Sequence, residues 1–303
     1  MQLGFVSAIL ADLSLEDVLS FASDEGFRCV EVMCWPPGKA DRRYAGVTHI
    51  DVTSLTPDSA EQIRELAARN GVFLSALGYY PNPLTPDEDQ QKVAVEHLRK
   101  VIETAPTLGV NTVTTFIGRD WHKSVEENWP LMKAIFTDLV ALAESKGVNL
   151  AIENCPMLFS KDEWPGGKNL AMSPAIWRAM FNEIRNDNFG LNFDPSHLVW
   201  LQIDYVRCIK EFAKRIHHVH AKDTKIDQEK LYEVGVMGLD WNTPKIPGYG
   251  DVKWGPFFSA LSDIRYDGPV CIEVEDRAFE DSLDGRKRAL RQAKKYLEQF
   301  ICD

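Results

Sequence analysis

The chain has 303 residues, of which 45% are hydrophobic and 26% charged, with a formal net charge of −11. That acidic balance argues against a duplex-binding protein, whose affinity comes from clustered Lys and Arg, and no uncharged apolar run approaches the roughly 18 residues of a membrane span. The six cysteines (Cys29, Cys34, Cys155, Cys208, Cys271 and Cys302) form no C-x-x-C pair, and the opening LGFVSAIL has no basic leader or cleavage site; free thiols in a reducing, cytoplasmic compartment are expected.

Strand-like and helix-like segments alternate along the chain. LGFVSAI at 3–9 leads into SLEDVLSFASDEG, whose SLED reads as a capping box and whose Gly closes the helix. CVEVMCW at 29–35 is followed by TPDSAEQIRELAARNG, then VFLSALGY at 72–79. TVTTFIG at 112–118 precedes WPLMKAIFTDLVALAESKG. NLAIENC at 149–155, FGLNFD at 189–194, IHHVHA at 216–221 and VCIEVE at 270–275 complete the set. Eight near-continuous apolar strands separated by helices point to parallel strands buried on both faces. In a chain of this length they predict an α/β fold, a (β/α)8 TIM barrel, as a single domain over residues 1–303. An open doubly wound sheet is the rival, but no G-x-G-x-x-G follows the first strand. Two connections are long, 156–175 and 222–254, and both follow strands. They belong to the face on which barrels build active sites.

Four consecutive strands finish with a side chain able to bind metal: Glu153 in AIEN, Asp194 in NFDPSH, His220 in HHVHAKD and Glu273 in CIEVED. Any one acidic strand end is ordinarily a solvated residue or a helix cap. Four neighbours together predict a site for one divalent cation, with Mn²⁺, Co²⁺, Mg²⁺ and Zn²⁺ all suited to three carboxylates and an imidazole. Glu275 shares a face with Glu273 and leaves the fourth ligand open between them. Strand alternation puts Ile216, His218 and His220 on one face and His217 on the other. His220 is the ligand, His218 either braces a ligand carboxylate or is a satisfied core residue, and His217 lies between strand and helix layers. His197 is placed to contact substrate or supply a fifth ligand, against a turn role. Lys222 and Asp223 are candidate substrate contacts or a brace for His220, against a surface salt bridge. Trp35, Tyr80, Trp121 and Trp254 are candidates for an aromatic wall against a sugar, against plain packing.

The motifs IEN, DPSH, HVHAKD, PGYGDVKW and YDGPVCIEVED, in that order and across essentially the whole chain, resemble the xylose isomerase-like barrel superfamily in its sugar phosphate isomerase/epimerase branch. The resemblance implies that Glu153, Asp194, His220 and Glu273 bind one divalent cation, most often Mn²⁺. It also implies that Glu153 and Glu273 are the acid/base pair and that His197 helps hold substrate. A homo-oligomer, dimer or tetramer, is the family's habit. The chain departs from the ketose 3-epimerase pattern in two places. It reads CPMLFS where a further acidic residue follows the first ligand, and DTKIDQ where an arginine follows the metal histidine. The insertion KDEWPGGKNLAMSPAIW reads as a cap over a different carbohydrate.

Together these features predict a metal-dependent sugar isomerase or epimerase that moves a proton through a metal-stabilised enediolate, with a small carbohydrate substrate and no organic cofactor. A lyase or dehydratase on a keto-sugar, inosose or glycoside is the alternative, because elimination begins with the same proton abstraction. An abasic-site endonuclease and a non-catalytic barrel rank lower. His122 is the sole extra histidine at the ends of strands two to four, and an intact ligand set has no use in a scaffold.

Overall fold

In the computed structural model, residues 1–38, 44–158 and 167–301 are described. Eight parallel strands close on themselves: β1 (Gln2–Val6), β2 (Cys29–Met33), β3 (Phe73–Gly78), β4 (Thr112–Thr115), β5 (Asn149–Glu153), β6 (Phe189–Phe193), β7 (Ile216–Ala221) and, after a two-stranded excursion of β8 (Asp223–Ile226) and β9 (Asn242–Lys245), β10 (Pro269–Ile272). Around the barrel the order is β1-β10-β7-β6-β5-β4-β3-β2. Each of the eight expected runs contains one barrel strand, but most stop early. The first gives way at Ser7 to a 3-10 turn, and the last ends at Ile272, one residue before Glu273. The antiparallel β8–β9 pair was not foreseen within the 222–254 connection.

The helices begin and end where their punctuation directs. Ser14 accepts a hydrogen bond from the Asp17 amide at 3.1 Å, which is one half of the box expected in SLED. Reciprocal boxes form instead at Thr56 with Ser59 and at Ser124 with Glu127. Gly71 ends the second long helix at φ 63°, a left-handed conformation that an L side chain adopts only at a cost. The outward faces of the strands bury residues such as Val30, Val32, Leu191, Phe193, Val219 and Ile272 against the helices in one continuous apolar cluster.

The inside of the barrel is unusual in being polar along its axis. Alternation sends Glu31, Asn192, Asp194, His218, His220 and Lys222 inward, and all six are buried. At the lowest level Ser75 Oγ lies 3.2 Å from His218 Nε2 and 3.4 Å from Cys271 Sγ. His218 Nδ1 lies 3.0 Å from Asn192 Oδ1, so this ring is a satisfied core histidine one step below the metal-capable groups. His217 points out of the barrel and donates to the Asp187 carbonyl at 3.0 Å. Gly78 leaves room for the side chains at the centre. A Cβ there would lie 2.1 Å from Met33 Cε and 2.8 Å from Glu31 Oε1.

The 222–254 excursion hangs on Asp223, which lines the cavity and is neither a surface salt-bridge partner nor a brace for His220. Its fully buried carboxylate accepts from the amides of Thr224 (2.9 Å), Val252 (3.0 Å) and Gly248 (3.0 Å) and from Trp254 Nε1 (3.0 Å). With both oxygens engaged by four donors, Asp223 braces the loop and not His220. Trp254 is likewise corrected. It is 2 % exposed and packs against Phe257 and Phe258, under the loop instead of on a sugar-facing wall. Among the described residues no helix is long and apolar enough to cross a membrane.

Replacing Asp223 with Ala strands four donors, three of them backbone amides, and should cost about 3–5 kcal/mol of stability in denaturant unfolding. Asp223→Asn, which keeps an acceptor oxygen, should cost less. Equal stability of wild type and Asp223→Ala would contradict this reading of the loop.

Candidate metal centre

β5, β6, β7 and β10 deliver Glu153, Asp194, His220 and Glu273 to one place at the carboxyl end of the barrel. One ligand-capable atom from each lies within 4.8 Å of those from the other three. Asp194 Oδ2 and His220 Nδ1 are buried there without a hydrogen-bond partner. Buried polar atoms are almost always hydrogen-bonded, so two that make no hydrogen bond within a cluster of metal-ligand types fit a cation-binding cage. The residues fit a single divalent ion with three oxygen donors and one nitrogen donor. Asp194 is held rigidly for the task. Its Oδ1 caps the helix Pro195–Trp200 through the Ser196 amide at 2.8 Å, and its backbone is clasped on both sides by the Asn154 side chain.

The residue that sequence reasoning missed is Glu31, in the middle of β2. It is fully buried, and its Oε2 lies 2.6 Å from His220 Nε2. Its Oε1 accepts from Thr114 Oγ1 at 2.7 Å and from the Tyr80 hydroxyl. Asn192 Nδ2 donates to Tyr80 Oη at 3.1 Å and lies 3.0 Å from His220 Nε2. An ionised Glu31 at 2.6 Å requires a proton on Nε2, which leaves Nδ1 to present the lone pair to the cage when the ring is neutral. Glu31 therefore fixes both the tautomer and the direction of His220, as a carboxylate behind a metal-binding histidine does. The signal was present: an acidic residue in the apolar run CVEVM, on the inward phase with Cys29 and Met33.

Lys222 continues the inward phase of His218 and His220 by one more step. Its ammonium is buried, 2.6 Å from Glu273 Oε2, 3.2 Å from Asp194 Oδ2, 3.3 Å from Glu275 Oε2 and 3.9 Å from Glu153 Oε1. It is the internal counter-charge of the cage, not a surface partner. Burial by itself would raise the Glu31 carboxyl, but the charge and hydrogen bond of His220, with His218 and Tyr80, bring it down to about 2. Asp194, also pushed up by burial, is drawn down to about 2 by Lys222 and His197. Burial opposes charge on His220 as well, yet Glu31 and Glu273 hold the ring protonated well above its ordinary range. Lys222 is raised in the same way, against burial, by Glu273 and Glu275.

A cavity of about 540 Å³ opens above the cage, and Trp35, Tyr80, Glu153, His197, Lys222 and Glu273 are among its walls. Trp35 stacks edge-on against Tyr79 at 4.9 Å, and Tyr80 reaches from the wall down to Glu31. His197 Nε2 lies 3.2 Å from Asp194 Oδ2 and 3.4 Å from Glu153 Oε1, with no well-aligned hydrogen bond to either. Glu275 also reaches the cavity, but Glu273 is the one grouped with the other three ligands. Trp121 pairs with Lys168, 4.6 Å above its ring, and is not among the cavity's walls. Residues 161–166 of the expected cap lie outside the described residues.

Residues 19–300 match the family described as the xylose isomerase-like TIM barrel. Among curated relatives, an uncharacterized protein YfiH of Bacillus subtilis is 28% identical over 91% of this chain and 93% of its own length. An inosose dehydratase of Clostridium perfringens is 29% identical over 56% of this chain, and the match spans about half of that protein, 55%. Among solved structures, the IolI protein with a bound zinc atom superposes with a TM-score of 0.72 over the full length of both chains, at 19% identity.

Two outcomes follow from the charge balance. Because the Glu31 carboxyl is lowered from 4.5 to about 2, its contribution to stability is complete above pH 4.5 and is lost as pH falls toward 2. Glu31→Gln should therefore flatten the melting temperature against pH across that window, and an unchanged acid limb would contradict the network. Because Glu31 and Glu273 favour the protonated ring, binding of a divalent cation at His220 Nδ1 is expected to release a proton. Calorimetric titration with Mn²⁺ in buffers of different ionisation enthalpy should show proton release, and affinity should rise with pH. Identical heats in the two buffers would contradict it.

Proposed function

The chain belongs to the xylose isomerase-like TIM barrel family, and from that premise we propose that it is a divalent-cation-dependent sugar isomerase or epimerase. The observation that carries the reading is the convergence of Glu153, Asp194, His220 and Glu273, with two buried atoms that make no hydrogen bond, beneath a cavity large enough for a monosaccharide-sized ligand. A divalent cation held by these four residues supplies positive charge against the negative charge that develops on adjacent carbonyl and hydroxyl oxygens as the intervening C–H is acidified. The carboxylate-rich donor set favours Mn²⁺ among the candidates.

The chain's own residues do the rest. Glu153 and Glu273 come from strands separated by β6 and β7, so they approach a substrate from different walls, one to take a proton and the other to return one. His197 and Lys222 present donors to sugar oxygens from the cavity wall, and Trp35 and Tyr80 provide an apolar flank. Glu31 holds His220 in a single orientation without touching substrate.

One observation favours a second reading, elimination of water from a keto-sugar or inosose. The Lys222 ammonium, 2.6 Å from Glu273 and on the cavity wall, is placed to steady a departing hydroxyl, and part of the chain is similar to inosose dehydratases.

Incubation of the Mn²⁺-loaded protein with keto-sugars and inososes in deuterated water, followed by NMR, tests both. The expected outcome is deuterium at the carbon beside the carbonyl together with an isomer of unchanged formula. A product lighter by one water would transfer the assignment to the dehydratase. Glu153→Gln should lower turnover by about 100- to 10,000-fold, and unchanged turnover would remove Glu153 from the chemistry.

A further inference from the structure

Glu153 belongs to a second group of ligand types besides the cage. One ligand atom each from Glu153, Cys155 and His197 lie within 4.8 Å of one another, and Cys155 is not grouped with the four cage residues. The turn that follows β5 is built to present this group. Asn154 points sideways to bond the Asp194 backbone in both directions, which leaves Glu153 and Cys155 facing the cavity together. The buried Asn169 amide clamps the turn at both ends, donating to the Glu153 carbonyl at 3.0 Å and the Cys155 carbonyl at 2.6 Å. Met157 adopts φ 56°, uncommon for a residue with a side chain, and its amide donates to Cys155 Sγ at 3.4 Å, fixing the sulfur in place. Opposite stands His197, only 8 % exposed, whose Nε2 has no hydrogen-bond partner.

We propose that Glu153, Cys155 and His197 form a second cation position, selective for a thiophilic divalent ion such as Zn²⁺ or Co²⁺, occupied in addition to the cage of Glu153, Asp194, His220 and Glu273. A thiolate, an imidazole and a carboxylate are a softer set than the cage offers, and together they disfavour Mg²⁺ and Mn²⁺. Glu153 has two oxygens and so is able to serve both positions. Three protein ligands leave a fourth position open to the cavity, the arrangement of a site that also takes water or a substrate atom. The ion displaces the thiol proton to solvent on binding. The inference rests on the cage reading only through the shared Glu153.

Titration of the full-length, metal-free protein with Co²⁺, followed by near-ultraviolet absorption and calorimetry, tests it. The expected result is two equivalents bound, with thiolate-to-cobalt charge transfer appearing for only one of them. Cys155→Ser, a near-isosteric change at a partly exposed position, should lose that band and that equivalent while keeping the other and an unchanged melting temperature. His197→Gln should lose the same equivalent. A single equivalent without the band, or a band that persists in Cys155→Ser, would overturn the proposal. Loss of the thiol-free equivalent alone would instead count against the cage, so the two failures are distinguishable.

Discussion

Ionised carboxylates inside a closed barrel must be matched by positive charge held within hydrogen-bonding reach. Glu31, Glu153 and Asp194 are all buried at the carboxyl end of this barrel, and removing such charges from water without partners would cost several kcal/mol for each ion. The chain meets that demand with His220 from β7, Lys222 just past its end, and His197 from the helix Pro195–Trp200. The arrangement leaves Asp194 Oδ2, His197 Nε2 and His220 Nδ1 without hydrogen bonds. Asp194 Oδ2 and His220 Nδ1 belong to residues of the four-residue cage, and a divalent ion there would complete what the protein's own cations leave partly done.

The rest of the architecture serves to keep that balance in place. Strand alternation stacks Asn192 beneath Asp194, and His218 and His220 beneath Lys222, so the polar column is one consequence of the two-residue period. Glu31 links β2 to β7 through His220, while Tyr80, Thr114 and Asn192 satisfy the remaining acceptors and donors around it. Gly78 vacates the space this network fills. A fully connected buried network of this kind tolerates little truncation, since each member left behind loses a partner it cannot replace with water.

The fold and the convergence of four metal-capable strand ends were legible for physical reasons. Eight apolar runs separated by capped helices leave few arrangements other than a barrel, and polar residues at the ends of buried strands have no packing explanation. Lys222 was legible only in part. The period that turned His220 inward also turns Lys222 inward, but a lysine one residue past an apolar strand reads as a surface residue until the facing carboxylates are located. Glu31 was hidden because its partners lie 49, 83 and 189 positions away in the chain. The loop-bracing bonds of Asp223 and the burial of Trp254 were hidden because they depend on the path of the 222–254 excursion, which brings Gly248, Val252 and Trp254 back to a residue at its start. No local pattern encodes such a return.

The central claim is that one divalent ion sits among Glu153, Asp194, His220 and Glu273. Anomalous diffraction from crystals grown with Mn²⁺ addresses it most directly. The account predicts a single manganese peak within bonding distance of a carboxylate oxygen from each of the three acids and of His220 Nδ1. A peak elsewhere, or none at saturating Mn²⁺ with Lys222 still seated among the carboxylates, would contradict it.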